Sequence, residues 1–262
     1  MASRSIARTE FQTLVGEGVS ILRGIARVAA LAGLALFCVL AHLATRAIFK
    51  QSNWPRRFLG WLARICGATV ELRGKPVAQD VLFVSNHVSW LDIPIIAGAT
   101  GTAFVSNSGV ADWPLVGWLA SLNNTVFVDR TDRAGIQAQI MVVRRALNSH
   151  QPLTVFPEGT TSNGRDLLPF KPSLLEVVTS TPREISVQPL HIDYCGARDL
   201  AWVGDEPAIR NAWRVLTRPG RFAVRLDCLE PFEPSAIGDR KAVAAESRRR
   251  ILTASARSVG SV

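Results

Sequence analysis

Short apolar runs alternate with helix-length segments from about residue 69 to the end of the chain. Seven of these runs are rich in β-branched and aromatic residues, which favours buried strands. The runs are TVELRG at 69, VLFVS at 81, TAFVS at 102, TVFVDR at 125, LTVFP at 153, SVQPLHI at 186 and RFAVRL at 221. Helices are predicted at 132–150 and at about 239–257. Strand followed by helix, repeated, predicts an α/β fold with a largely parallel central sheet flanked by helices.

The N-terminal segment has a different pattern. Residues 28–45 carry no formal charge, and Arg27 and Arg46 bracket them. As a helix this run would be roughly 27 Å long, close to the roughly 30 Å of the hydrocarbon core of a bilayer. The run therefore favours insertion into a membrane, either across the bilayer or into one leaflet, over a buried helix of a soluble protein.

A second N-terminal helix is predicted over residues 53–67, with Asn53 as its N-cap and Pro55 in its first turn. Arginines flank its apolar stripe, which fits a helix at a membrane surface and equally a helix packed on a core. We therefore expect two parts, with membrane-associated helices in residues 1–67 and an α/β domain in residues 68–262.

The charge balance points to an anionic partner. The chain has 30 Lys and Arg against 21 Asp and Glu, a net charge of +9. Such an excess favours an anionic membrane, an acidic carrier or cofactor, or nucleic acid. The four cysteines are dispersed without a C-x-x-C pair, which indicates reduced thiols in a protein that faces the cytosol. No H-E-x-x-H motif occurs and the four histidines are far apart in the sequence, so no metal site is predicted.

Polar clusters follow three of the predicted strands. Asn86-His87-x4-Asp92 follows the second strand, Asp129-Arg130 follows the fourth, and PEGTTSNG at 157–164 follows the fifth. Ligand sites in α/β sheets gather beyond the carboxyl ends of the strands. We therefore expect these loops to converge on one site.

His87 and Asp92 have the chemistry of a general base and its orienting carboxylate. A neutral imidazole accepts a proton near pH 7, and a carboxylate on its other nitrogen fixes the tautomer. Five positions along a regular helix would separate the two side chains by about 140°. We therefore expect His87 in a loop and Asp92 in the first turn or two of the next helix. A histidine that only caps this helix is the alternative.

The catalytic proton is expected to come from a substrate rather than from a serine of the protein. The chain has no G-x-S-x-G nucleophile elbow, although Ser89 is close to His87 in the sequence. GTTSNGRD has the glycine spacing of a P-loop, but Arg165 and Asp166 stand where lysine and serine or threonine are needed. Nucleotide hydrolysis is therefore rejected.

Four sequence blocks in order carry a family resemblance. They are Asn86-His87-x4-Asp92, Phe127-Val128-Asp129-Arg130, Phe156-Pro157-Glu158-Gly159-Thr160 and Gln188-Pro189-Leu190. With them, residues 69–230 resemble the glycerolipid acyltransferase family. The resemblance implies that His87 deprotonates the hydroxyl of a lysolipid, which attacks the thioester of acyl-CoA or acyl-carrier protein, while Asp92 orients His87. No further cofactor is implied.

The resemblance also implies the substrate-binding residues. They are Asn86, Arg130, Glu158, Gly159, Thr160, Thr161 and Lys171. Arg130 matches the arginine that binds the acceptor phosphate, and backbone N–H groups near Gly159 are candidates for holding the oxyanion. The alternatives are ordinary surface cations at Arg130 and Lys171 and a loop salt bridge at Glu158.

The chain departs from the family pattern near the expected headgroup. Thr161 stands where many members have arginine, Asn107 and Gly109 lie where lysine and glutamate are frequent, and Asn124 replaces a usual glycine. We expect a membrane-bound O-acyltransferase of the 1-acylglycerol-3-phosphate type that forms phosphatidate, with its active site facing the cytoplasm. The alternatives are acylation of lyso-ornithine lipid or another lysophospholipid, a basic nucleic-acid-binding module, and a non-catalytic membrane scaffold.

Overall fold

The structure is a computed structural model that describes residues 2–49, 51–112, 114–128, 136–147, 150–179 and 184–259. Within these residues seven strands form one sheet in the order β1-β7-β6-β2-β5-β3-β4. The strands are β1 Ala68–Arg73, β2 Val81–Ser85, β3 Ala103–Asn107, β4 Val126–Val128, β5 Leu153–Val155, β6 Ser186–Asp193 and β7 Phe222–Cys228. Each coincides with a predicted run, and the predicted α/β class is confirmed.

The sheet is parallel apart from the pairing of β6 with β7. In that antiparallel pair Leu190 lies opposite Cys228. All five residues of β2 are buried, because helices cover both faces of the sheet. A strand buried on both faces has a continuous apolar sequence rather than an alternating one, which is why VLFVS indicates the centre of a parallel sheet.

The described helices include four that the sequence analysis does not predict, α4, α6, α7 and α8. The helices are α1 Ala2–Ile48, α2 Trp54–Ile65, α3 Asp92–Thr100, α4 Pro114–Leu122, α5 Ile136–Leu147, α6 Glu176–Thr179, α7 Ala208–Thr217, α8 Pro234–Ile237 and α9 Arg240–Val259. The helix predicted at 132–150 is described only as α5, and 132–135 and 148–149 lie outside the described residues.

Two apolar cores lie on opposite faces of the sheet. Phe83 packs into the core shared with α2, α3 and α7, whereas Leu82 and Val84 pack into the core shared with α5, α6 and α9. Successive side chains of a strand point to opposite faces, so β2 contributes to both cores. The helices therefore hold β2 from both sides, and the loop after β2 starts from a rigid element.

Helix α2 is packed on the first core. Phe58 and Ala63 are buried, and Gly60 lies against Gly98 of α3 so closely that a Cβ on Gly98 would be 2.6 Å from the Cα of Gly60. This contact brings the two helix backbones together where neither has a side chain. One side of α2 is therefore packed on the core of the domain.

Helix α1 contacts the rest of the chain along one side and exposes the other. The guanidinium group of Arg27 donates to the carbonyl oxygens of Leu216 and Arg218 at the end of α7, at 3.0 and 2.9 Å. Farther along, the indole N–H of Trp54 donates to the Thr45 hydroxyl at 2.9 Å. Residues 16–48 are long and apolar enough to cross a membrane, and only 6% of their most apolar window is buried. The apolar run is therefore not a buried helix of the core.

Candidate active site

The loops that follow β2, β5 and β6 meet at one edge of the sheet. These three strands are parallel neighbours, with β2 between β5 and β6. Their carboxyl ends therefore lie side by side, and side chains just beyond them come close together. The loop after β4 contains Arg130, which lies outside the described residues, so the binding role expected for it remains a prediction.

His87 and Asp92 form a hydrogen-bonded pair in this region. The Nδ1 atom of His87 lies 2.7 Å from Oδ2 of Asp92. His87 is in the loop after β2 and Asp92 is the first residue of α3, as the spacing predicts. An ionised carboxylate only accepts hydrogen bonds, so the network assigns the proton of a neutral His87 to Nδ1 and leaves Nε2 unprotonated. This is the tautomer that a general base requires.

The ring of His87 is accessible and held flat against an aromatic side chain. Its side chain is 17% exposed, and it stacks on Phe156 with 4.0 Å between the ring centroids. Among the described residues Nε2 has no hydrogen-bond partner. A substrate hydroxyl therefore has a free acceptor at Nε2, on a ring whose orientation is fixed from two directions.

Asp92 is fully buried and its carboxylate is surrounded by donors. In addition to His87, Oδ2 accepts the backbone N–H groups of Val88 at 2.6 Å and Ser89 at 3.0 Å. The other oxygen, Oδ1, accepts the hydroxyl of Tyr194 at 2.5 Å. The chain from His87 to Asp92 therefore wraps around its own carboxylate, and the four intervening residues supply the length needed for this turn.

Asn86 joins two strand ends through both polar atoms of its side-chain amide. Its side-chain N–H donates to the carbonyl oxygen of Ile192 at 3.0 Å, and its side-chain oxygen accepts the N–H of Ile192 at 2.9 Å. A side-chain amide in this position imitates one more residue of the β2–β6 pairing. Asn86 thereby fixes the position of His87 relative to β6.

Glu158 is turned inward and supports the loop that carries His87. It is 2% exposed, and its two oxygens accept the backbone N–H groups of His87 at 2.7 Å and of Leu168 at 2.9 Å. Burial raises the pKa of Glu158 above its ordinary value, and the two N–H groups oppose that shift. The Arg248 guanidinium of α9 donates to the carbonyl oxygen of Leu167 at 2.8 Å and so holds the same loop from its other side.

Gly159, Thr160 and Lys171 lie at the turn beyond β5. Gly159 has φ +78°, a left-handed conformation that favours glycine, and its N–H donates to the carbonyl oxygen of Phe156 at 3.1 Å. A Cβ on Gly159 would lie 2.8 Å from Nζ of Lys171, so the ammonium group lies directly over this turn. Thr160 and Lys171 are exposed, and their side chains are accessible to a substrate.

Thr161 is bound to a neighbouring loop. Its hydroxyl donates to the carbonyl oxygen of Trp202, and the N–H of Trp202 donates to the carbonyl oxygen of Val88 at 2.9 Å. The N–H of Ser162 donates to the carbonyl oxygen of His87 at 2.7 Å. Three loops are thus linked through their backbones around the His87–Asp92 pair.

The departure at Asn124 has a backbone explanation. Asn124 has φ +55°, in the left-handed region where glycine is most favourable and asparagine is the most tolerated alternative. Its side-chain N–H also donates to Gln151 at 3.0 Å. The replacement of glycine by asparagine is therefore compatible with the turn before β4.

An apolar cavity of about 350 Å³ adjoins the site. Its wall is formed by α1, α2, α4 and α7, together with side chains next to the catalytic loop that include Trp90, Ile93 and Phe104. Phe104 stacks on Phe156 with 5.8 Å between the ring centroids, and Phe156 stacks on His87. One aromatic ring therefore separates the imidazole from the wall of the cavity.

Sequence reasoning does not identify three contributors to this site. Tyr194 bonds Asp92 across 102 positions, Phe156 supports the imidazole ring, and the backbone of Trp202 links two loops. The only sequence signals are that Tyr194 is the sole tyrosine of the chain and lies two residues beyond the strand predicted at 186–192. Among the described residues no three His, Cys, Asp or Glu side chains are grouped as metal ligands.

Known proteins resemble this chain in sequence and in fold. A family model described as Acyltransferase matches residues 69–193. A lyso-ornithine lipid O-acyltransferase of Rhodobacter capsulatus is 32% identical over 250 residues, which cover 89% of this chain and 88% of the relative. A 1-acyl-sn-glycerol-3-phosphate acyltransferase of Neisseria meningitidis is 29% identical over 178 residues, 65% of this chain and 68% of the relative. The crystal structure of a 1-acyl-sn-glycerophosphate acyltransferase from Thermotoga maritima has the same fold, with a TM-score of 0.68, 19% identity, and coverage of 94% of this chain and 96% of that one.

The link between Asn86 and β6 generates a stability prediction. In Asn86→Asp a carboxylate oxygen replaces the amide nitrogen that lies 3.0 Å from the carbonyl oxygen of Ile192. We expect the free energy of unfolding at pH 7 to fall by about 3 kcal/mol, since a buried hydrogen bond becomes a repulsion. Protonation of the new carboxyl restores a donor, so the loss should shrink as the pH is lowered. Urea unfolding in detergent at pH 7 and pH 5 measures both effects.

The matched control is Asn124→Asp, at an exposed asparagine whose partner Gln151 can turn its own amide toward the new oxygen. This control should lose less than about 0.5 kcal/mol. If the variant at position 86 is as stable as the control, the side chain of Asn86 does not fix the two strand ends.

Proposed function

The chain belongs to the glycerolipid acyltransferase family and is an acyltransferase, and from this premise we propose that it transfers a fatty acyl group to the hydroxyl of a lyso-ornithine lipid. The family expected from the four sequence blocks is confirmed. Acylation of a lysolipid is the reaction that the relatives support. The identity of the acceptor, the acyl donor and the roles of individual residues belong to the proposal.

The geometry of His87 supports the proposed chemistry. Nε2 of His87 takes the proton of the acceptor hydroxyl, and the alkoxide attacks the carbonyl carbon of an acyl thioester. A new C–O bond forms, the C–S bond breaks, and the leaving thiolate takes the proton back from the imidazolium. Acyl-CoA or acyl-carrier protein supplies the thioester in this scheme. The net charge of +9 is compatible with either of these acidic donors.

The relatives favour a lyso-ornithine acceptor through the length of chain that matches. The likeness to the Rhodobacter capsulatus lyso-ornithine lipid O-acyltransferase extends over 89% of the chain, and the likeness to the Neisseria meningitidis 1-acyl-sn-glycerol-3-phosphate acyltransferase over 65%. The longer match includes segments outside the catalytic blocks, where family members with different acceptors are free to differ. This is the single observation that carries the choice of acceptor.

The side chains near the turn beyond β5 agree with this choice. Thr161 presents a neutral hydroxyl, already bonded to Trp202, where many members have an arginine. A phosphate group is best held by guanidinium or ammonium groups, whereas ornithine has an ammonium group of its own and no phosphate. Lysophosphatidate is the second candidate, because Lys171 lies over Gly159 and Arg130 matches the arginine that the family uses for a phosphate.

The course of α1 supports attachment to one leaflet of a membrane. The helix contacts α7 at Arg27 and α2 at Thr45, so the rest of the protein lies beside α1 along most of its apolar segment. Its opposite side exposes large apolar side chains, including Leu22, Leu36 and Leu40, each by more than half of its surface. We propose that residues 1–67 are the membrane-associated part, that α1 lies within one leaflet with the domain alongside, and that the site faces the cytoplasm.

The apolar cavity is suited to an acyl chain. It lies between the membrane-associated helices and the wall next to His87, and its lining is almost entirely hydrocarbon. Burial of a methylene group contributes about 0.8 kcal/mol, so a chain placed here gains binding energy along its length. We propose that one fatty chain of the reaction occupies this cavity while its carbonyl or hydroxyl group lies at His87.

An acceptor panel tests the proposed substrate. Purified enzyme in mixed micelles receives one labelled acyl-CoA, or acyl-carrier protein, and either lyso-ornithine lipid or lysophosphatidate. We expect kcat/KM for lyso-ornithine lipid to exceed that for lysophosphatidate by at least about tenfold, since a lost polar contact costs about 1.4 kcal/mol or more. A preference for lysophosphatidate would contradict the proposed acceptor and support the second candidate, and transfer to neither would contradict both.

A pair of alanines on α1 tests the proposed chain site. Ala35 lines the cavity, whereas Ala32 is exposed on the same helix. In Ala35→Phe the phenyl ring fills space that methylene groups would occupy, so the acyl-chain preference should shift to chains shorter by two or more carbons. Ala32→Phe should retain the preference of the wild type. Competition between acyl donors of 12, 14, 16 and 18 carbons measures the shift, and unchanged preference in both variants would place the chain elsewhere.

A further inference from the structure

Tyr194 contacts the one group on which His87 depends. It follows β6 directly, is 6% exposed, and donates its hydroxyl to Oδ1 of Asp92 at 2.5 Å. Its ring packs near Phe222, with 6.2 Å between the centroids. The tyrosine lies one residue beyond the segment that the family model matches. Its hydroxyl bonds to Asp92, and Tyr194 is not among the residues that line the apolar cavity.

The two oxygens of Asp92 have separate partners. Oδ2 accepts His87 and the N–H groups of Val88 and Ser89, all from the loop that precedes α3. Oδ1 accepts Tyr194, which comes from a different strand. The hydroxyl is therefore the contact that ties the carboxylate to the sheet rather than to its own loop, and it draws negative charge toward Oδ1 and away from the imidazole.

Pairing between the ends of β2 and β6 positions His87 and Tyr194 around Asp92, and this positioning does not require a substrate. Asn86 pairs in both directions with Ile192, so the residue before His87 is held against the second residue before Tyr194. The hydroxyl and the imidazole consequently approach Asp92 from the ends of neighbouring strands, which the Asn86–Ile192 pair holds in register. A side chain that only filled space at this position would not need an oxygen atom directed at the carboxylate.

We propose that Tyr194 is a positioning residue for acyl transfer, whose hydroxyl anchors Oδ1 of Asp92 and moderates how strongly the carboxylate stabilises the protonated form of His87. This inference rests on the proposed function of His87 as the general base. Without the hydroxyl, the carboxylate keeps more of its charge for the imidazolium, so a higher pH is needed to free Nε2.

The surroundings keep the tyrosine a donor. Burial, followed by the charge of Asp92 and the hydrogen bond to it, raises the pKa of Tyr194 well above its ordinary value, while the Ser89 hydroxyl opposes the shift. The other titratable groups that act on the cluster are Cys66 at the end of α2 and Glu158 in the loop after β5. Burial, opposed by Arg27, raises the pKa of Cys66 to about 12, so this thiol is neutral wherever the enzyme is assayed.

The test is the pH profile of kcat/KM for the full-length enzyme with its preferred lysolipid. The acid limb of this profile is the range in which kcat/KM falls as the pH is lowered. In Tyr194→Phe we expect the acid limb to move to higher pH by about half a unit to one unit. We also expect the plateau to fall roughly tenfold, which corresponds to the loss of about one hydrogen bond to a charged group. A purely structural role would lower the unfolding temperature and leave the acid limb in place.

A second replacement changes the hydrogen bond without removing it. Because Tyr194 is the sole tyrosine, growth on 3-fluorotyrosine labels this position alone. Fluorination makes the phenol a stronger donor, so the acid limb should move in the opposite direction, to lower pH. The protein keeps its ring and its hydroxyl in this form, so the measurement does not depend on the stability of the phenylalanine variant.

The matched control is Phe222→Leu, which removes packing from the tyrosine ring but leaves the hydroxyl on Asp92. Its acid limb should coincide with that of the wild type. The wild type, Tyr194→Phe, the 3-fluorotyrosine protein and Phe222→Leu could all share one acid limb while His87→Ala abolishes transfer. That result would overturn the role of Tyr194 and leave the proposed function intact. Unchanged transfer in His87→Ala would overturn the proposed function and this inference with it.

Discussion

The buried carboxylate of Asp92 imposes the strictest constraint on this fold. It has no exposed surface, and an unpaired ionised carboxylate in such a place costs several kcal/mol. The structure meets the constraint with two backbone N–H groups from the loop that Asp92 itself terminates, one imidazole and one phenol. The same contacts that make burial tolerable also set the tautomer and orientation of His87, so stability and catalysis depend on one cluster.

The remaining structure can be understood as support for that cluster. Glu158 accepts the backbone N–H of His87, and Asn86, the residue before His87, is bonded to the backbone of Ile192 in β6. Arg248 of the last helix holds the loop that Glu158 also holds. The long first helix lies outside this framework and borders the apolar cavity, which places the proposed lipid-binding surface next to the rigid catalytic loop.

Local patterns are sufficient for most of the architecture and for the catalytic pair. The strands are predicted because β2 and its neighbours are continuous apolar runs, and the position of Asp92 at the start of a helix follows from its spacing to His87. No helix is predicted between the sixth and seventh apolar runs, where the structure has α7 with Asn211 and Val215 buried. Tyr194 is missed because a hydrogen bond across 102 residues leaves no local signal. The inward orientation of Glu158 likewise depends on loops that only the folded chain brings together.

The most direct test of the central claim, that an imidazole oriented by Asp92 removes the acceptor proton, compares His87→Ala and Asp92→Asn with the wild type. Circular dichroism and unfolding temperature establish that each variant is folded, and initial rates of acyl transfer are then measured at saturating lysolipid. The account predicts that His87→Ala lowers kcat by about 100-fold to 10,000-fold. Asp92→Asn should fall in the same range, because an amide no longer selects the tautomer with a free Nε2. A folded His87→Ala enzyme that retains a kcat within a few-fold of the wild type would contradict the account.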